Sequence, residues 1–268
     1  MKIFDCITFF QENFITNIRF EILKDCVDYF FICESMYDHK GNKKKLNFKL
    51  LNKNLKNKII HIVKKDKFSK SHTPWQNQAI QREYLKNFVF NYSDNDDFIM
   101  FSDPDEIPNP NVVKNLKLER KYGIFMQKSF CYKFNLLNSY ESPWEGTRIC
   151  LKKNLKSIDF MRQKVLKKNL KYSFLRVDKE RSIQIIDNGG WHFNNLMSAT
   201  EISKKLQTFA HSEFGDKKFS SIKVIKKKIE NNEDLFERGY YYTKIKIDNS
   251  FPDYILKNKR NLKKFILK

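Results

Sequence analysis

Glycine and proline are scarce, 7 and 6 among 268 residues. No Pro/Gly/Ser-rich linker interrupts the chain and no internal repeat appears, so one domain is expected. Cysteine is little used as well: Cys6, Cys26, Cys33, Cys131 and Cys150 are scattered, odd in number and without CxxC spacing. Neither a disulfide framework nor a zinc site is expected, and buried free thiols in a reducing compartment fit instead. No apolar run reaches transmembrane length. Asp5 and Glu12 interrupt any signal-peptide core, so a cytoplasmic location is the expectation. Acids are short too, 31 against 52 Lys and Arg, for a formal charge of +21.

That charge would suit phosphates, anionic lipid or nucleic acid. The chain is rich in Lys, Asn, Ile and Phe together, the bias of an AT-rich genome. Most lysines therefore read as solvated surface. Hydrophobic residues make up 41% and aromatics 15%, ample for a compact core. Residues 3–10 read as a strand, 17–27 as a helix, and 29–33 and 59–63 as buried strands, the opening of an α/β sheet. Thr73 and Pro74 start a helix running through Phe88. Further expectations are a strand over 97–102, a helix over 111–120, one or two strands within 123–137, and strands over 148–152 and 183–186. A helix capped by Ser198 or Thr200 runs through Phe209, and another covers 219–231.

The richest stretch runs from Asp97 to Pro108. Phe98 to Phe101 is apolar at successive positions, as in a strand covered on both faces. Pro104 and Pro108 lack the donor a ladder needs, so the strand stops near Asp103. Asp103, Asp105 and Glu106 then gather at the carboxyl end of a buried strand, where open α/β sheets keep their ligands. Acids crowded there repel one another, and a hard cation such as Mg²⁺ or Mn²⁺ relieves them while offering open positions to phosphate oxygens.

Other candidates are weaker alone. Gly189-Gly190-Trp191-His192-Phe193 places a histidine between aromatics, either a metal or phosphate ligand or a packed core residue. Arg82 can clamp a phosphate or lie on the surface. Glu34, ending the second strand, can accept from a ribose or stand in solvent.

Together these stretches form a pattern. Asp5-Cys6, Phe9-Phe10, Glu12, Ile18 to Leu23 and Val27 to Glu34 resemble the N-terminal signature of glycosyltransferase family 17. So do Gly41, Trp75 with Gln81-Arg82, Ser102 to Pro108, and Gly190 to Phe193. The resemblance covers roughly residues 1 to 215. The family contains the β-1,4-mannosyl-glycoprotein N-acetylglucosaminyltransferases that add a bisecting GlcNAc. It implies a GT-A fold, Rossmann-like with a mostly parallel central sheet flanked by helices, over residues 1–245, with a basic tail at 246–268. It also implies an inverting, metal-dependent transfer of a sugar, GlcNAc from UDP-GlcNAc, to a protein- or lipid-linked glycan. Asp103, Asp105 and His192 are then the candidate ligands of Mn²⁺ or Mg²⁺. Glu34, Arg82, Asp103 and Trp191 are candidates for the donor.

Inversion needs a carboxylate to take the acceptor proton, and Glu145, Asp187 and Glu106 are the candidates. Glu145 follows Trp144, whose ring can stack on a sugar. The basic, partly apolar tail from Tyr254 to Lys268 can lie on an anionic membrane or dock on the domain. Two other classes compete. A nucleic-acid binder explains the charge but not the buried acids, so no nucleic-acid partner is expected. A metal-dependent nucleotide-sugar phosphohydrolase would use similar acids without an acceptor.

Overall fold

Strand β1 (Ile3–Phe9) opens the fold, and helix α1 (Asn13–Leu23) leads to β2 (Tyr29–Ser35). β3 (Ile59–Lys64), α2 (Pro74–Tyr92) and β4 (Phe98–Ser102) complete a parallel block ordered β3-β2-β1-β4. The structure, a computed structural model, describes residues 1–173, 175–208 and 216–268. After β4 come β5 (Glu106–Pro108), α3 (Pro110–Lys114), β6 (Tyr122–Cys131), β7 (Leu136–Leu137) and β8 (Trp144–Leu151). Then follow α4 (Ile158–Lys164), β9 (Ile183–Ile186), β10 (Gly190–Asn194) and α5 (Ala199–Thr208). Helices α6 (Lys217–Ser220) and α7 (Ile222–Glu230), strand β11 (Thr243–Lys244) and helix α8 (Asp253–Lys257) finish the chain.

The sheet is mixed rather than mostly parallel. β4 lies parallel to β1 but antiparallel to β8, from Phe98 opposite Leu151 to Phe101 opposite Arg148. β6 is antiparallel to β8 and parallel to β9 and β10. The cause is the connection: β6 reaches β8 by a short return, which antiparallel strands allow and parallel ones do not.

β4 is buried along its whole length. Phe98 and Met100 face one core with Ile15, Ile18 and Leu23 of α1, and Ile99 and Phe101 face the other with Leu85 and Val89 of α2. Two covered faces explain the unbroken apolar run. α2 starts as its sequence says: Thr73 Oγ1 accepts from Gln76 N, and Gln76 Oε1 accepts from Thr73 N, a capping box.

Some boundaries move. α1 starts at Asn13 rather than 17, because buried Ile15 extends its apolar face one turn back. α3 ends at Lys114, not 120. β8 begins at Trp144, four residues ahead of the expected strand. Gly190 to Asn194 is a strand of its own, and the expected 219–231 helix is split between α6 and α7. The expected end of α5 at Phe209 lies outside the described residues.

The chain after 245 packs on the domain. Ile255 is fully buried and Leu262 nearly so. Phe265 packs against Phe14, with ring centroids 4.5 Å apart and planes tilted by 33°, and its carbonyl accepts from Phe134 N at 2.8 Å. The tail's apolar residues are thus committed to the protein, while Lys257, Lys259 and Lys263 stay at the surface. Among the described residues no helix is long and apolar enough to cross a membrane.

Candidate active site

A sealed network positions the acid turn from below. Arg19, fully buried, grips Asp5 through Nε and Nη2 at 2.7 and 2.6 Å. Its Nη1 donates to Glu106 O at 2.5 Å and its Nη2 to Ser102 Oγ at 3.0 Å. The Thr147 hydroxyl, 2.7 Å from Ser102 Oγ, donates to the same Glu106 carbonyl at 3.2 Å. One guanidinium therefore fastens the middle of β1 to the end of β4 and the start of β5. The turn then closes on itself, with Glu106 N donating to Asp103 O at 3.0 Å and Asp103 N to Glu106 Oε2 at 3.2 Å.

β10 brings in the histidine. It runs between β5 and β6, opposing His192 to Glu106 on one side and to Ser129 on the other. Phe193 N donates to Asp105 O at 2.8 Å. The two glycines permit this approach. A Cβ on Gly190, at φ +120, would lie 2.2 Å from Ile107 O, and one on Gly189 would lie 2.6 Å from Met126 N.

From above, the carboxylates meet cations. Arg162 on α4 donates to Asp103 Oδ2 at 2.9 Å and to both Glu106 oxygens at 2.6 and 3.0 Å. The Trp144 indole adds a 2.7 Å bond to Glu106 Oε1. Lys205 Nζ on α5 stands 3.7 Å from Asp105 Oδ2. α5 is held there by Gln11, whose amide donates to Glu201 O at 3.0 Å. His192 Nε2 lies 3.8 Å from Asp105 Oδ1, its ring stacks on Trp144 at 4.8 Å, and its buried Nδ1 has no partner.

The acids respond differently to this setting. Burial pushes the Asp103 carboxyl up, but Arg162, Arg82 and Lys205 together pull it below the ordinary value. Burial pushes Asp105 up as well, and Lys205 and His192 offset only part, so it stays raised. Burial opposes the charge on Lys205, yet Asp105, Glu12 and Asp103 outweigh it and raise its pKa.

Asp103, Asp105, Glu106 and His192 therefore come together. Among the described residues no three of His, Cys, Asp and Glu form a ready metal cage, because Asp103 is turned to Arg162. Asp105 and His192 are close enough for one divalent ion to touch both. Mg²⁺ and Mn²⁺ at nucleotide sites take one or two protein ligands and fill the rest with water and phosphate oxygens, so this pair fits such an ion.

The remaining candidates are elsewhere or already engaged. Arg82, almost fully buried, donates from Nη1 to Asp159 at 2.8 Å, and its Nε has no partner. Glu34, fully buried, is bound to Lys44 Nζ at 2.8 Å, Asn47 N at 2.6 Å, Phe48 N at 3.2 Å and His61 Nε2 at 3.2 Å. It holds the loop after β2 and has no oxygen left for a ribose. Trp191 points away from His192, as neighbours on a strand must. Its indole donates to Ser250 O at 3.0 Å, and it lines a cavity of about 920 Å³ with Asp187 and Tyr254. That cavity includes neither Asp103, Asp105 nor His192. Asp187 is thus separated from the acid turn, and Glu106 is enclosed by Arg162 and Trp144. Glu145 is half-buried beside Trp144, with Oε2 bound to Lys167 N at 3.0 Å and Arg148 at 3.4 Å. Among the described residues no bond engages its Oε1.

Arg162 and Lys205 escaped the sequence reading. Each is one among 52 basic residues, far in sequence from the acids, and no local signal marks it.

An α/β sheet with cations and carboxylates gathered where its parallel strands end is an enzyme architecture for a small anionic ligand. The chain belongs to glycosyltransferase family 17, whose family profile matches residues 1–246, and it is a glycosyltransferase. No curated protein matches it significantly. Among solved structures it is similar to a glycosyltransferase involved in the glycosylation of the major capsid of PBCV-1. The identity is 8% and the TM-score 0.34, over 70% of this chain and 82% of that one. It is similar also to the inositol-1-phosphate CTP transferase from T. maritima, at 12% identity and TM-score 0.34, over 70% and 85%. Likenesses this slight leave the assignment to the family profile.

Proposed function

We propose that the enzyme transfers a sugar from a nucleotide donor, UDP-GlcNAc by the family's habit, to a glycan acceptor with inversion. The observation that carries this reading is the Asp105–His192 approach of 3.8 Å, flanked by Lys205 and by Arg162 on Asp103, at the sheet's carboxyl edge. Asp105 and His192 would hold Mn²⁺ or Mg²⁺, which supplies Lewis-acid stabilisation of the departing diphosphate. Lys205 Nζ donates no hydrogen bond among the described residues, and its ammonium is available to phosphate oxygens. Arg162 keeps Asp103 ionised and the turn rigid. Arg82 adds positive charge behind Asp103. Glu145, with one oxygen uncommitted, is the base that takes the acceptor proton.

A thermal-shift screen of nucleotide sugars, with and without Mn²⁺, tests the reading. One donor at a hundredfold excess over its Kd should raise Tm by roughly 5–10 °C, and only with the ion. No shift with any nucleotide sugar overturns it. Free sugar released at full rate without an acceptor would point to the phosphohydrolase instead. Tight binding to nucleic acid that survives chelation and falls steeply with salt would point to the third class.

A further inference from the structure

Residues 138–143 link β7 to β8, with Tyr140 near the start of the link and Trp144 just past its end. At one end Trp144 stacks on His192. At the other, Tyr140 lies flat on Tyr240, with ring centroids 4.3 Å apart and planes inclined by 6°. Tyr140 is nevertheless 55% exposed. Its inner face is covered by Tyr240, so the exposed part is its outer face and edge.

The stack is built rather than incidental. The Arg238 guanidinium lies 4.6 Å from the Tyr240 ring centroid. Arg238 is itself fixed by Asp234 at 2.7 Å and Glu141 at 2.5 Å. Asn138 holds the loop, accepting from Glu141 N at 3.3 Å and donating from its amide to Glu141 Oε2 at 2.7 Å. Ser142 Oγ accepts from Ser129 N at 2.8 Å, and Ser129 is the β6 residue opposite His192. On the other side, Leu235 and Tyr242 pack in one small core with Ile202 and Leu206 of α5, the helix that carries Lys205. Both halves of the stack are thus tied to elements of the acid site.

We infer that Tyr140, backed by Tyr240 and Arg238, is a platform for a sugar ring of an oligosaccharide acceptor, one remote from the transferred unit. The inference rests on the proposed transfer to a glycan. A pyranose presents a face of C–H groups with hydroxyls around its rim. A preset tyrosine face can cover that apolar surface while the hydroxyls stay in water or meet the phenol. Little side-chain entropy is left to lose, because the ring is already held. Four residues of chain reach at most about 14 Å, so Tyr140 lies within one short oligosaccharide of Trp144.

The test measures binding of mono- to pentasaccharides of mannose and of N-acetylglucosamine by calorimetry, with UDP and Mn²⁺ present. Wild-type affinity should rise with length. Tyr140→Ala should weaken the longest binder about tenfold, and Tyr140→Phe should stay within about twofold. Monosaccharides, too short to reach, are the internal control. Affinity independent of length, binding of none of the series, or Tyr140→Ala binding like wild type overturns the platform. Wild-type turnover of nucleotide sugars, measured in parallel, isolates the proposed function. If turnover is present and the platform test fails, only the platform falls.

Discussion

Two arginines bear on Glu106 from opposite sides, and they differ in access to water. Arg19 and Asp5 are both essentially inaccessible, at 0% and 1%. Arg162 and Asp103 are open to 11% and 36%. Both arginines are nearly saturated with hydrogen bonds. The first ties three strands together and presents nothing to a ligand. The second makes the same kind of bond at the lip of the site, where a phosphate or a cation can compete for its partner. The same chemistry is thus structural where it is sealed and adjustable where it opens.

Mutation can break this contrast, starting where the effect is largest. Arg19→Met strands a buried carboxylate and should cost about 3–5 kcal/mol of stability, read from denaturant unfolding. A loss below about 1 kcal/mol would mean the network does not set the turn. Arg162→Met lets Asp103 rehydrate and leaves the buried Glu106 carboxylate the Trp144 indole and Asp103 N as partners, so it should cost somewhat less stability, but lower transfer by about a hundredfold per folded molecule. Equal stability losses with full activity in Arg162→Met would erase the distinction.

Glu34 is a third sealed carboxylate and sharpens the comparison through pH. Burial pushes its pKa up, but His61, Lys44 and Asn47 N hold it below the ordinary value. A carboxyl depressed in the folded state contributes stability above its unfolded pKa and loses it as pH falls through the folded one. Wild-type Tm should therefore fall more steeply than that of Glu34→Gln as pH drops from the ordinary carboxylate range. Parallel curves would show that the clasp is not ionised.

The smallest effect has the opposite sign. Burial raises the pKa of Asp105, so folding loses free energy as pH rises from the ordinary carboxylate value to the raised one, and the cost is constant above it. Asp105→Asn should leave Tm at neutral pH equal or slightly higher, with the gain vanishing in acid. It should also lose the Mn²⁺-dependent shift. A clearly lower Tm would mean that Lys205 and His192 depend on that charge.

Legibility in the sequence follows the same divide. β4 was readable because two covered faces leave an unbroken apolar run, and α2 because Thr73 can cap it and Pro74 suits its first turn. The acid turn and His192 were readable because carboxylates or an imidazole next to buried strands are unusual. Of the antiparallel β8 only the part from Arg148 on was readable, since Glu145, Gly146 and Thr147 show no apolar pattern and Thr147 serves the network beneath Glu106. Arg162 and Lys205 were invisible for want of contrast, being basic residues in a basic chain. Glu34 looked like a ligand-binding acid because sequence cannot tell a carboxylate facing a cleft from one folded over its own loop.

The two margins of the sheet are finished unequally. β11 ends one side after two residues, too short to template a foreign strand, whereas β3 runs six residues, Ile59–Lys64, with β2 as its only strand partner among the described residues. If crowded molecules ever begin to stack edge to edge, growth would start along β3, held back mainly by the charge of the exposed Lys65 and Lys67 that follow it.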